Sequence, residues 1–143
     1  DNSITGMTGH QDNPTTGKTI RGEETTQVDL IKLCEGLGVK HIVVADPFDV
    51  KNFEKVVKEE TARDEVSVII AQRPCALLKY VKFSGVCEIN SDKCKKCKLC
   101  MKLGCPAISI SDDSVVSIDK SLCNACGLCT GVCPFDAIEK KEV

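Results

Sequence analysis

The sequence predicts two parts: a partial parallel α/β sheet, then a smaller α+β module ordered by its cysteines. Residues 27–71 alternate helix, strand, helix, strand, and 11 cysteines stand in 143 residues, most of them after Gly85. The cysteine-rich part also repeats itself, which implies a module with internal pseudo-twofold symmetry.

Residues 1–24 are rich in Gly, Thr, Asn and Asp, the chemistry of turns, and offer little apolar surface to bury. From Gln27 a helical period sets in, with Val28, Ile31, Cys34 and Leu37 on one face and Gly36 and Gly38 as stops. His41 to Ala45 reads as a buried strand. Pro47 and Asp49 introduce a second helix to about Ala62, with Phe53, Val56 and Val57 inward, and Val66 to Ala71 forms the next strand. Such alternation belongs to a parallel sheet with crossover helices, yet only two strands are complete. The expected boundaries are 1–75 for this part, 76–84 for a connector and 85–143 for the cysteine module.

An apolar content of 42% is that of a globular protein, and a net charge of −2 gives no footprint for nucleic acid. No apolar run approaches the roughly 18 residues of a membrane span, and no cleavable leader opens the chain. A cytoplasmic protein without membrane or nucleic-acid partners is expected. The chain opens at Asp1 inside a motif and without methionine, so a piece of something larger is also expected.

Cys94, Cys97, Cys100 and Cys105 with Pro106 make CxxCxxCxxxxCP, and Cys123, Cys126, Cys129 and Cys133 with Pro134 make CxxCxxCxxxCP. It is one unit written twice, 29 residues apart, the first copy carrying one extra residue. Three thiolates two residues apart can wrap three corners of a 4Fe-4S cubane, and the fourth must come from elsewhere. In two-cluster ferredoxins the fourth cysteine of each run serves the other cluster. Cluster I would then take Cys94, Cys97, Cys100 and Cys133, and cluster II would take Cys123, Cys126, Cys129 and Cys105. Structural zinc also binds four thiolates, but its usual spacing is two CxxC pairs a dozen or more residues apart.

Leu99, Leu103, Ile108, Ile118, Leu122, Leu128, Val132 and Ile138 are expected to pack round the clusters, which stand in for a larger core. Lys93, Lys95, Lys96, Lys98 and Lys102 surround the first run, either as a solvated face or as a dock for an acidic electron carrier. Cys34, Cys75 and Cys87 remain, and structural roles are expected for them. Gly17-Lys18-Thr19 is no phosphate loop, because the glycine required five positions earlier is Asp12.

The opening Asp1-Asn2-Ser3-Ile4-Thr5-Gly6-Met7-Thr8-Gly9-His10-Gln11 resembles the second half of the thiamine-diphosphate and magnesium motif of the 2-oxoacid:ferredoxin oxidoreductases. With Arg73-Pro74-Cys75 and the two-cluster module, nearly the whole chain resembles the C-terminal part of the indolepyruvate:ferredoxin oxidoreductase α subunits. The resemblance implies that 1–75 ends a thiamine-diphosphate-binding domain. It implies that Asn2 offers its side-chain oxygen, and Ile4 its carbonyl, to Mg²⁺. Thr8 and Gly9 would lie against cofactor or substrate, and His10 is a further candidate.

The implied activity is oxidative decarboxylation of arylpyruvates to acyl-coenzyme A, electrons leaving through two 4Fe-4S clusters to an external ferredoxin, with a β subunit as partner. The first half of the magnesium motif and the activating glutamate would lie upstream of Asp1, so these residues alone are not expected to catalyse the reaction. Two other readings stay open: a ferredoxin-type carrier with a partner-binding extension, and a pyruvate- or oxoglutarate-type relative.

Overall fold

The computed structural model describes residues 1–7, 9–76, 78–82 and 84–141. The chain divides into two compact units, Asp1–Val81 and Lys82–Val143.

In the first unit, strand β1 (Ile4–Thr5) pairs antiparallel with β2 (Gln11–Asp12), and a 3₁₀ turn follows at Pro14–Thr16. The opening segment was expected as loop alone; five residues between β1 and β2 suffice for a small hairpin, with Gly9 and His10 at positive φ. Helix α1 (Leu30–Gly36) is capped by Asp29, whose carboxylate accepts from the Ile31 and Lys32 N–H groups. Strand β3 (His41–Ala45), helix α2 (Val50–Thr61) and strand β4 (Ser67–Ala71) complete a β-α-β crossover. β3 and β4 pair in parallel, His41 opposite Ser67 through Ala45 opposite Ala71.

Helix α2 turns Val56 inward, and Val56, Ala45 and Ile70 are buried. Glu60, on the same helix, is a buried carboxylate. Arg63 Nε donates to it at 2.9 Å and Ser67 Oγ donates as well, and these partners hold its carboxyl below the usual range. The face expected to be inward on α1 is largely open instead: Val28, Ile31 and Leu37 are exposed, Leu37 to 76%, and Cys34 is half-buried. A two-strand parallel sheet covers one helix well and leaves its other face bare, whereas parallel sheets ordinarily bury both.

The second unit holds strands β5 (Val86–Ile89), β6 (Ile108–Ile110), β7 (Val116–Ile118) and β8 (Ile138–Lys141) with helix α3 (Leu128–Val132) and a 3₁₀ helix at Leu99–Leu103. β5 pairs antiparallel with β8, and β6 with β7. The β5–β8 pair thus closes the module's two ends on each other. Its core is Cys87, Ile108, Val116, Cys129, Cys133, Ala137 and Ile138, with Leu103 and Ile118 packed alongside. Leu122 departs from expectation: it is exposed to 56%, because it sits in the turn before Cys123 and points outward.

Candidate metal centres and cofactor loop

The two cysteine runs share a backbone as well as a spacing. Lys96 and Ala125, 29 residues apart, both have φ 52, and Lys98 and Gly127 have φ 62 and 80. Left-handed residues at these places turn the chain sharply between the cysteines of each run. A non-glycine there costs of order 1 kcal/mol, which the lysines meet for the sake of the loop. The extra residue of the first run is absorbed next to Gly104, at φ 63, which ends the 3₁₀ helix just before Cys105.

Reciprocal backbone bonds cross the two copies. Asn90, four residues before Cys94, donates its N–H to Ala137 O at 2.8 Å; Asp119, four before Cys123, donates to Ala107 O at 2.8 Å. Each run's entry is thereby tied to the segment just after the other run's last cysteine. Asn90 O and Asp119 O in turn accept from the N–H groups of Cys94 and Cys123, both at 3.0 Å. Cys94, Cys97, Cys100 and Cys133 line one pocket, walled by the apolar Ile89, Val116 and Ile138. Cys105 and Cys123 both pack on the common core.

The donor set suits an iron-sulfur cluster: soft thiols, apolar walls, and N–H groups aimed at sulfur. Ala137 N–H points to Cys133 Sγ at 3.3 Å, and the N–H groups of Ala125 and Cys87 point to Cys123 Sγ, both at 3.4 Å. Such bonds set cluster potential. Among the described residues no three His, Cys, Asp or Glu side chains converge as one ion would require; a cubane spreads its four corners apart and asks for no such point. Burial pushes the Cys129 thiol up to about 12, the adjacent Cys87 adding to it, and burial also raises Cys100. Metal binding here must therefore release protons.

Charge round the first run is partly neutralised. Lys93 Nζ lies 2.7 Å from Glu139 Oε1, and Lys98 Nζ donates to Ser114 Oγ. On β5, Glu88 receives Lys141 at 2.7 Å and Lys120 as well, and the two ammonium groups hold its carboxyl down to about 2. A carboxyl whose folded pKa is depressed stabilises the fold above its unfolded value and loses that contribution as pH falls toward the folded one. Glu88→Gln should therefore lower the denaturant midpoint of the second unit at pH about 7. The gap to wild type should narrow by pH about 3.5, inside the window from about 4.5 down to about 2. A pH-independent gap would mean that these pairs add nothing.

In the first unit Asn2 and Ile4 meet in one turn. Asn2 Oδ1 accepts the Ile4 N–H at 3.2 Å, Ser3 between them has φ 63, and Ile4 is buried while Asn2 is exposed. Arg73 N–H donates to Asp1 O and Cys75 N–H to Asn2 O, both at 3.0 Å, which lays the loop beside the chain leaving β4. That is the carboxyl end of a parallel strand, where open α/β sheets bind ligands. A carboxamide oxygen keeps a second lone pair after one hydrogen bond, so the donor set fits an oxygen-seeking Mg²⁺. Gly9, at φ 100, donates to Gly6 O at 3.3 Å, and His10 is exposed; Thr8 lies outside the described residues.

Three features escaped sequence reasoning. Asp1 carboxylate accepts from Ser3 N–H, Thr15 Oγ1 and Gln72 Nε2, which fixes the loop. Arg73 pairs with Asp46 at 2.5 Å and stacks over Phe48 at 4.2 Å. Cys87 is 1% exposed, donates its N–H to Cys123 Sγ at 3.4 Å and shares a buried cluster with Cys129. Its strand position, ahead of the first run and on the core side, was the one available signal.

Comparison with known proteins follows the same division. Residues 1–71 match the thiamine pyrophosphate enzyme, C-terminal TPP binding domain, and residues 116–139 match the 4Fe-4S binding domain. The second cysteine run lies within the latter match and the first lies before it. The chain is 36% identical to the indolepyruvate oxidoreductase subunit IorA of Pyrococcus abyssi over 98% of its own length, and 39% identical to that of Archaeoglobus fulgidus over 97%. It spans 23% of the length of each. It is also 39% identical, over 54% of its length and 28% of the relative's, to a component of the ion-translocating oxidoreductase complex of Methanosarcina acetivorans. No solved structure matches. A thiamine pyrophosphate-binding part and a 4Fe-4S part in one chain, matched end to end by IorA subunits, place this chain in the family of the indolepyruvate oxidoreductase IorA subunits.

Proposed function

We propose that this chain is the electron-transfer portion of a 2-oxoacid:ferredoxin oxidoreductase that converts arylpyruvates such as indolepyruvate to acyl-coenzyme A. Electrons pass through two 4Fe-4S clusters to an external ferredoxin, and a second subunit completes the enzyme. The observation that supports this most is the reciprocal pairing of Asn90 with Ala137 and of Asp119 with Ala107, which carries each run's last cysteine toward the other run. Cluster I is held by Cys94, Cys97, Cys100 and Cys133, and cluster II by Cys123, Cys126, Cys129 and Cys105.

Thiamine diphosphate, when bound, supplies the carbon chemistry, and the clusters supply one-electron capacity. This chain's residues bind and orient. Asn2 Oδ1 and Ile4 O would offer oxygen to Mg²⁺, Gly9 lies in the loop that follows, and the resemblance assigns contact with cofactor or substrate to Gly9 and Thr8. In the second unit burial shields Cys129 and Cys133 from water, and the N–H groups of Ala125, Cys87 and Ala137 offset charge on Cys123 and Cys133. Substrate and partner follow from the names of the relatives.

The test is metal analysis of the anaerobically purified chain, then coenzyme A-dependent reduction of ferredoxin by different 2-oxoacids in the enzyme assembled with the rest of the thiamine diphosphate site and the partner subunit. About eight irons and a rate for indolepyruvate at least tenfold above those for pyruvate and 2-oxoglutarate are expected. Zinc in place of iron would overturn electron transfer. Eight irons with pyruvate the best substrate would overturn the arylpyruvate assignment alone.

A further inference from the structure

Cys87 belongs to neither run, yet it is the largest side chain that is almost wholly sealed from water, at 1% exposure, among the described residues. It lies on β5, whose pairing with β8 fixes it opposite Lys140 and turns its side chain into the core. Cys129 shares this buried cluster, and Cys123 packs against it. The Cys87 N–H donates to Cys123 Sγ at 3.4 Å. Its backbone therefore reaches one thiol of the second CxxCxxC, Cys123, and its side chain is buried in the same cluster as another, Cys129.

We propose that Cys87 is a positioning residue for cluster II: its S–H donates a hydrogen bond to the thiolate of Cys129 or Cys123 and raises the potential of that cluster. The inference rests on the reading that Cys123, Cys126 and Cys129 hold a 4Fe-4S cluster.

The direction of the hydrogen bond follows from valence. A thiolate committed to iron has no proton, so in a Cys87–Cys129 contact the hydrogen must come from Cys87. A donor beside a cluster stabilises the more negative, reduced state over the oxidised one and so raises the midpoint. Among the described residues, the cubane pocket lined by Cys94, Cys97, Cys100 and Cys133 has no such extra thiol on its wall. Cluster II thus becomes the more readily reduced of the two by this contribution.

EPR-monitored redox titration of the iron-loaded full chain tests it with Cys87→Val, which fills similar volume without a donor, and Cys87→Ser, which keeps one. At the wild-type midpoint of cluster II, the ratio of reduced to oxidised cluster in Cys87→Val should fall about tenfold, a shift of about 59 mV for one electron. In Cys87→Ser it should stay at or above wild type, and cluster I should be unmoved in both. If Val does not retain eight irons, Cys87→Ala carries the same comparison. A donor-less variant within twofold of wild type, or Val and Ser shifted alike, would show that Cys87 only fills space. Wild-type protein without iron would overturn the cluster reading itself, which the unmoved midpoint would not.

Discussion

Cys133→Ser is expected to halve the iron of the protein, from about eight to about four, by removing cluster I, although Cys133 belongs to the second cysteine run. The chain brings Cys133 to the first run's thiols through the Asn90–Ala137 bond, and the four sulfurs line one pocket. Cys105→Ser should remove cluster II by the mirrored route through Asp119 and Ala107. Double variants separate crossed from local ligation. Under crossing, Cys133→Ser with Cys97→Ser strikes one cluster twice and leaves about four irons, while Cys133→Ser with Cys126→Ser strikes both and leaves none. Local ligation inverts the two results, so iron content alone decides.

Removing iron by chelation should unfold the second unit while hydrogen-exchange protection of α2 and β4 in the first is unchanged. Lys82–Val143 is roughly 60 residues, a size at which one apolar core supplies only about 3–5 kcal/mol before a metal or disulfide is added. Its core is thinner than that: of seven buried residues three are cysteines and one is alanine. Two of these, Cys129 and Cys133, are proposed cluster ligands. The clusters therefore hold together loops that otherwise carry left-handed lysines and few apolar contacts. Limited proteolysis gives the readout. Rapid cleavage after Lys95, Lys96 and Lys98 only in the chelated protein is expected, and equal resistance with and without iron would show a module that stands on its side chains.

The β-α-β crossover was legible because each element meets a local rule. Asp49 caps α2 as its position before the apolar period requires, and β3 occupies the five residues His41–Ala45 read as a buried strand. Helix α1 was legible in place but not in its start or burial: the period was read from Val28, whereas the helix begins at Leu30 behind its Asp29 cap, and Ile31 and Leu37 are exposed. Amphipathicity says which face seeks cover and cannot say what provides it. The hairpin of β1 and β2 was hidden because two-residue strands carry no period to detect. Leu122 was misplaced because apolar character between two cysteines says nothing about which way a turn residue points.

The loop of Asn2 and Ile4 was marked only by its resemblance to the 2-oxoacid:ferredoxin oxidoreductases; from the sequence by itself came the two-part division and the eight-cysteine repeat, with the crossed pairing expected of two-cluster ferredoxins. These are encoded in spacing and in residue chemistry, which need no distant contact to be read. Only the tertiary structure brought Cys87 to Cys123 and Cys129, tied Asn90 to Ala137 and Asp119 to Ala107, and set Asp1 and Asn2 beside the chain leaving β4. Each of those joins residues far apart along the chain through strand pairing and loop crossing, and strand register is decided by the partner strand as much as by the strand that carries the residue.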